Sequence, residues 1–139
     1  MKPAIKVLLV DDETEFADCM AKVLGRRNME VSVAYTGADA VAAFAQGEFD
    51  VVVLDLRMPG MDGLATLDAL RVRDTLTPVL LLSGHTDLED AAAALARGAA
   101  DFLVKPCAVE ALATAIEDAS ERKALARALR GLDTTRSPA

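Results

Sequence analysis

Val51-Val52-Val53-Leu54-Asp55-Leu56-Arg57-Met58-Pro59-Gly60-Met61-Asp62-Gly63 sets four apolar residues directly before an aspartate and closes in a turn rich in proline and glycine. An unbroken apolar run of this length predicts a strand covered on both faces, as in the middle of a parallel sheet. A carboxylate is costly to bury, so Asp55 belongs at the sheet's carboxyl edge, where open α/β sheets bind ligands.

Working outward, the same strand–turn–helix unit recurs. Ile5 to Val10 is a β-prone apolar run that ends in Asp11-Asp12. Phe16, Cys19, Met20, Val23 and Leu24 then fall on one helical face within Glu13 to Arg27, with Asp12 and Glu15 spaced as a capping box. Val31 to Tyr35 alternates, as an edge strand with one wetter face should, and Thr36 is placed to cap a helix carried by Val41 and Phe44. Leu64, Leu67 and Leu70 mark a third helix before Pro78, and Val79 to Leu82 a buried strand closed by Ser83-Gly84. Thr86 and Glu89 form a second capping box, for an alanine-rich helix stopped at Gly98. Phe102-Leu103-Val104 predicts a short last strand ended by Lys105-Pro106. A last stripe, Val109, Leu112, Ile116 and Ala119, is interrupted at Arg122-Lys123.

Five strands alternating with five helices predict a doubly wound, flavodoxin-like parallel sheet. The order 2-1-3-4-5 puts the wetter second strand at an edge, a choice that the resemblance given below also supports. The expected division is one domain over residues 1–120, with 121–139 a helical extension and a frayed tail.

Composition excludes several classes. The net charge of −7 argues against direct nucleic-acid binding, which needs a basic footprint. No apolar run reaches the roughly 20 residues of a membrane helix, and the N-terminus lacks a signal-peptide pattern. Cys19 and Cys107 are too few for a disulfide scaffold, lack metal-ligand spacing, and are expected as buried apolar fillers. Together these features point to a reduced, cytoplasmic protein.

Four predicted strands end in polar residues: Asp11-Asp12, Asp55, Ser83 and Lys105. In a parallel sheet those ends share one edge. Two unit charges about 4 Å apart at an effective dielectric of about 20 repel by roughly 4 kcal/mol, so three carboxylates there need a proton or a cation. An all-oxygen site finished by water and phosphate oxygens suits Mg²⁺. A carboxylate nucleophile, a metal, an ammonium and a hydroxyl together describe phosphoryl transfer, with Asp55 as the acceptor. Each residue alone has a plainer reading as a strand terminator or cap; the five together do not.

These residues carry a family resemblance. Asp11-Asp12, Asp55 with Met58-Pro59-Gly60-Met61-Asp62-Gly63, Ser83-Gly84, and Phe102 with Lys105-Pro106 resemble the receiver domain of two-component response regulators. The likeness spans roughly residues 4 to 120, and the Ser83-Gly84-His85 turn and residues 101–106 are similar to the nitrogen-regulation class. The resemblance implies phosphoryl transfer to Asp55 from a sensor histidine kinase or phosphotransfer protein. It implies Mg²⁺ held by Asp11, Asp12, Asp55 and the main-chain carbonyl of Arg57, and a cis bond before Pro106. It also implies a switch linking Ser83 to Phe102, tuning of phosphoryl loss by Arg57, Gly84 and His85, and pairing of two copies through the fourth and fifth helices.

The expected function is therefore a phosphorylation-controlled signalling module, not an enzyme beyond its own phosphorylation and slow dephosphorylation. The alternative is a receiver cut from a longer transcriptional regulator with ATPase and DNA-binding domains. A phosphatase is disfavoured by the lack of an Asp-x-Asp pair and an inserted cap. A flavodoxin-like nucleotide binder is disfavoured because no Gly-rich loop follows the first strand.

Overall fold

A computed structural model describes residues 3–58, 62–84 and 88–136. The elements alternate as the periodicity requires: β1 (Ile5–Val10), α1 (Thr14–Gly25), β2 (Met29–Ala34), α2 (Gly37–Gln46), β3 (Val51–Leu54), α3 (Gly63–Arg73), β4 (Val79–Gly84), α4 (Leu88–Ala96), β5 (Asp101–Lys105) and α5 (Val109–Arg136). They form one five-stranded sheet in the order β2-β1-β3-β4-β5. All four strand pairings are parallel.

The two-residue period of the strands sorts the core into two layers. Leu8, Val10, Val52, Leu54, Val79 and Leu81 pack with α2, α3 and α4 through Ala40, Leu67, Leu70, Ala91 and Ala94. Val7, Leu9, Val51, Val53, Leu80 and Leu82 pack with α1 and α5 through Ala17, Met20, Leu24, Leu112 and Ile116. β3 is buried along its whole length, which is why its sequence is continuously apolar.

Local chemistry sets the helix ends. The Thr36 hydroxyl accepts from the Asp39 N–H at 3.0 Å, as expected, and Asp62 caps α3 by accepting from the Ala65 N–H at 2.8 Å. Gly98, with φ of 106°, ends α4 in the left-handed region. The expected Thr86 cap, like His85 and the Pro59-Gly60-Met61 turn, lies outside the described residues.

Three expectations need correction. Asp12 does not cap α1: the cap position falls on Glu13, and the Glu13 N–H is bonded to Asp11 Oδ1 at 3.0 Å. Cys19 is exposed and so is no core filler, whereas Cys107 is half-buried and packs against the layer beneath α1 and α5. For Cys19, Ala17 takes the buried place on α1 beside Met20 and Leu24, rotating the buried face away from it. The stripe of α5 is not interrupted at Lys123, and the helix runs unbroken through Ser120 to Arg136. Leu112, Ile116, Ala119 and Lys123 keep helical phase, and Lys123 is only 7% exposed. Its Nζ donates to the Phe49 carbonyl at 2.6 Å, just ahead of β3.

Gly63 explains the last glycine of the central motif. A Cβ there would sit 2.4 Å from Leu56 Cα and 2.8 Å from the Asp55 carbonyl oxygen. The Gly63 N–H also bonds the Leu56 carbonyl at 3.1 Å, closing the turn that follows Asp55. Gly63→Ala is expected to lower stability in urea denaturation by about 1–3 kcal/mol, the usual range for overpacking. Gly25→Ala, where nothing lies within 4 Å, should be neutral or stabilising by up to about 1 kcal/mol. Equal effects of the two substitutions would contradict this packing.

Candidate functional site

Strand register brings the site together. Val10 pairs with Leu54, so Asp11 and Asp55 leave the sheet side by side, and the Asp55 N–H bonds the Val10 carbonyl at 2.9 Å. Ser83 pairs with Val104 and Gly84 with Lys105 one strand further along. Carboxylate oxygens of Asp11, Asp12 and Asp55 lie within 4.8 Å of one another.

Asp55 is 5% exposed, and its two oxygens are not equivalent. Oδ1 accepts from the Ser83 hydroxyl at 2.8 Å and from the Arg57 N–H at 3.1 Å. The same Ser83 oxygen accepts from the Leu56 N–H at 2.9 Å, which fixes its direction. Oδ2 faces Lys105 Nζ at 3.7 Å, beyond hydrogen-bond reach. The ammonium is held elsewhere: 2.7 Å from Asp11 Oδ2, 3.1 Å from Glu13 Oε1, and 4.5 Å from the centre of the Phe16 ring. Oδ2 is thus the oxygen open to an incoming group.

Electrostatics agree with this geometry. Burial above all, with the Asp11 charge, raises the Asp55 carboxyl against the pull of the Arg57 N–H, the Ser83 hydroxyl and the Lys105 charge, and the balance stands at about 6. Burial also works against the charge of Lys105, but the Asp11 hydrogen bond and the Asp55 charge outweigh it and hold its pKa above the ordinary lysine range.

The expected residues meet as follows. Asp11, Asp12, Asp55, Ser83 and Lys105 converge, and Lys105-Pro106 is cis. Phe102 is half-buried against the layer beneath α2, α3 and α4. Ser83 already contacts Asp55. Arg57 is exposed in the turn after Asp55, Gly84 ends β4, and His85 lies outside the described residues. Glu13 and Phe16 were missed as site residues. Both sit in or just before the first turn after Asp11-Asp12, which is the available signal. An all-oxygen trio of carboxylates whose ligand atoms lie within 4.8 Å of one another fits a hard divalent cation.

A model of the response regulator receiver domain matches residues 7–117. The chain belongs to that family. This receiver domain is 32% identical to the regulatory protein AtoC of Escherichia coli (strain K12) over 127 residues, 91% of this chain and 28% of AtoC. It is similar to the crystal structure of NtrX from Brucella abortus in complex with ADP, with a TM-score of 0.88 and 35% identity, over 93% of this chain and 30% of that one. A response regulator receiver domain protein from Clostridium thermocellum matches with a TM-score of 0.84 and 31% identity, over 87% of this chain and 98% of that one. The receiver domain thus spans 28% of the length of AtoC.

The raised Asp55 pKa gives a signed pH dependence. The folded protein holds a proton on Asp55 up to about 6, whereas an unfolded aspartate loses it near 3.8. Between those values the folded state binds more protons, so its contribution to stability is full below the lower value and falls as pH rises through the upper one. Metal-free Asp55→Asn should therefore be more stable than the parent by about 1–3 kcal/mol at pH 7.5, with the gap shrinking toward pH 4 in denaturant titrations. A gap independent of pH would contradict this assignment.

Proposed function

We propose that Asp55 accepts a phosphoryl group from the phosphohistidine of a sensor histidine kinase or phosphotransfer protein, with Mg²⁺ held by Asp11, Asp12, Asp55 and the Arg57 carbonyl. The observation that carries this reading is the meeting of Asp11, Asp12, Asp55, Ser83 and Lys105 at one edge of the sheet. When bound, a divalent cation neutralises the carboxylates and the phosphoryl oxygens.

The residues divide the work. Asp55 Oδ2 attacks phosphorus, a P–O bond forms, the P–N bond breaks, and the electron pair leaves with the imidazole nitrogen. No proton need move, because Asp55 reacts as the carboxylate, the form favoured above about 6. Ser83 and Lys105 then donate to the transferred group, which stabilises its negative oxygens. The Ser83 shift is relayed to Phe102 across β4 and β5, and Arg57, Gly84 and His85 govern the access of water and so the slow loss of phosphate.

The module is a switch and not a metabolic enzyme, and it works in the cytoplasm. Among the described residues no helix is long and apolar enough to cross a membrane. A second reading, a receiver unit within a longer transcriptional regulator, is favoured by its spanning only 28% of AtoC.

Incubation with Mg²⁺ and a small acyl phosphate should label the parent protein to near one phosphate per chain, and Asp55→Asn not at all. Equal labelling of the two, or none of the parent, would sink the assignment. Two copies are proposed to pair through α4 and α5, beside the exposed Leu95 and Val104. Light scattering should then show a doubled mass with Mg²⁺ and beryllofluoride; an unchanged mass would refute pairing.

A further inference from the structure

Lys105, like Ser83, must change partners during the proposed reaction, and its resting partners are two carboxylates other than Asp55. Nζ lies 2.7 Å from Asp11 Oδ2 and 3.1 Å from Glu13 Oε1, against 3.7 Å from Asp55 Oδ2. The Phe16 ring, 4.5 Å away, closes a third side. Two of the three ammonium donors are engaged by Asp11 and Glu13, and Nζ stands beyond hydrogen-bond reach of Asp55, so moving toward Asp55 to use the third stretches the bonds that hold it.

The two carboxylates that hold it differ in kind. Asp11 is 1% exposed, belongs to the acidic trio, and also accepts the Glu13 N–H. Glu13 has a side chain 64% exposed and stands outside the trio. Its bond to Lys105 is the longer of the two and the one open to solvent. Glu13 is therefore the partner that Lys105 gives up.

We infer that Glu13 is a positioning residue that holds Lys105 back from Asp55 and competes with the incoming phosphoryl group for the ammonium. This rests on the phosphoacceptor reading above. Its carboxylate sets the balance between resting and engaged Lys105 without touching the transferred group. Being exposed and screened, it does so by a small amount.

The test uses the whole chain, with Mg²⁺ and beryllofluoride as the phosphoryl mimic. Glu13→Gln keeps the size and an acceptor oxygen but removes the charge. Glu15→Gln removes an equal, exposed charge two residues further on, in the first turn of α1, without a contact to Lys105. Glu13→Gln should bind beryllofluoride about two- to fivefold more tightly, the change a screened surface ion pair provides. Glu15→Gln should bind as the parent does. In the metal-free proteins, the NMR signal of the Lys105 side chain should shift in Glu13→Gln and stay put in Glu15→Gln. Equal effects of the two substitutions, or unchanged or weaker binding by Glu13→Gln, would overturn the inference while leaving Asp55 as acceptor. No binding by the parent protein would instead remove the phosphoacceptor reading and this inference with it.

Discussion

Repulsion among carboxylates drawn to within 4.8 Å of one another is the constraint around which this domain is arranged. Such a cluster opposes folding unless its surroundings answer it. Here the answer comes from the far end of the chain. Lys105 is brought by β5 to within 2.7 Å of Asp11, ninety-four residues away in sequence. The Ser83 hydroxyl and the Arg57 N–H divide the remaining stabilisation of Asp55 between them. What these groups leave unanswered is a role for a cation.

The scaffold makes that arrangement affordable by being rigid beneath it. β3 is walled on both faces by aliphatic side chains, so Asp55 emerges from a strand that cannot slip without exposing Val51 to Leu54. The turn beyond it is closed against Leu56 by Gly63, where no side chain fits. At the opposite edge of the sheet, Lys123 ties α5 to the chain entering β3. One strand is thereby braced at both ends, with its reactive carboxylate at the open one.

Much of this was legible in the residues. Continuous apolar runs told buried strands from the alternating edge strand, and polar residues at the strand ends indicated the site once the strands were taken as parallel. Where the reading went astray, a side chain did something its type seldom does. Lys123 looked like a break in an apolar stripe, because hydropathy counts the ammonium as exposed, whereas here the Phe49 carbonyl accepts from it and the residue is buried. Asp12 looked like a helix cap by spacing, but the chain turns one residue later, after Asp11 has taken the Glu13 N–H. Cys19 fell on an apolar stripe whose true centre runs through Ala17. Glu13 and Phe16 carried no motif at all; their place beside Lys105 depends on where β5 ends, which only three dimensions show.

The central claim is that the trio of acidic side chains is a cation site serving Asp55. Manganese, a hard divalent ion that accepts the same oxygen donors as Mg²⁺, can be located directly by anomalous scattering from a soaked crystal. The account predicts one strong peak within bonding distance of carboxylate oxygens of Asp11, Asp12 and Asp55. A peak elsewhere on the surface, with the three carboxylates left bare, would contradict it.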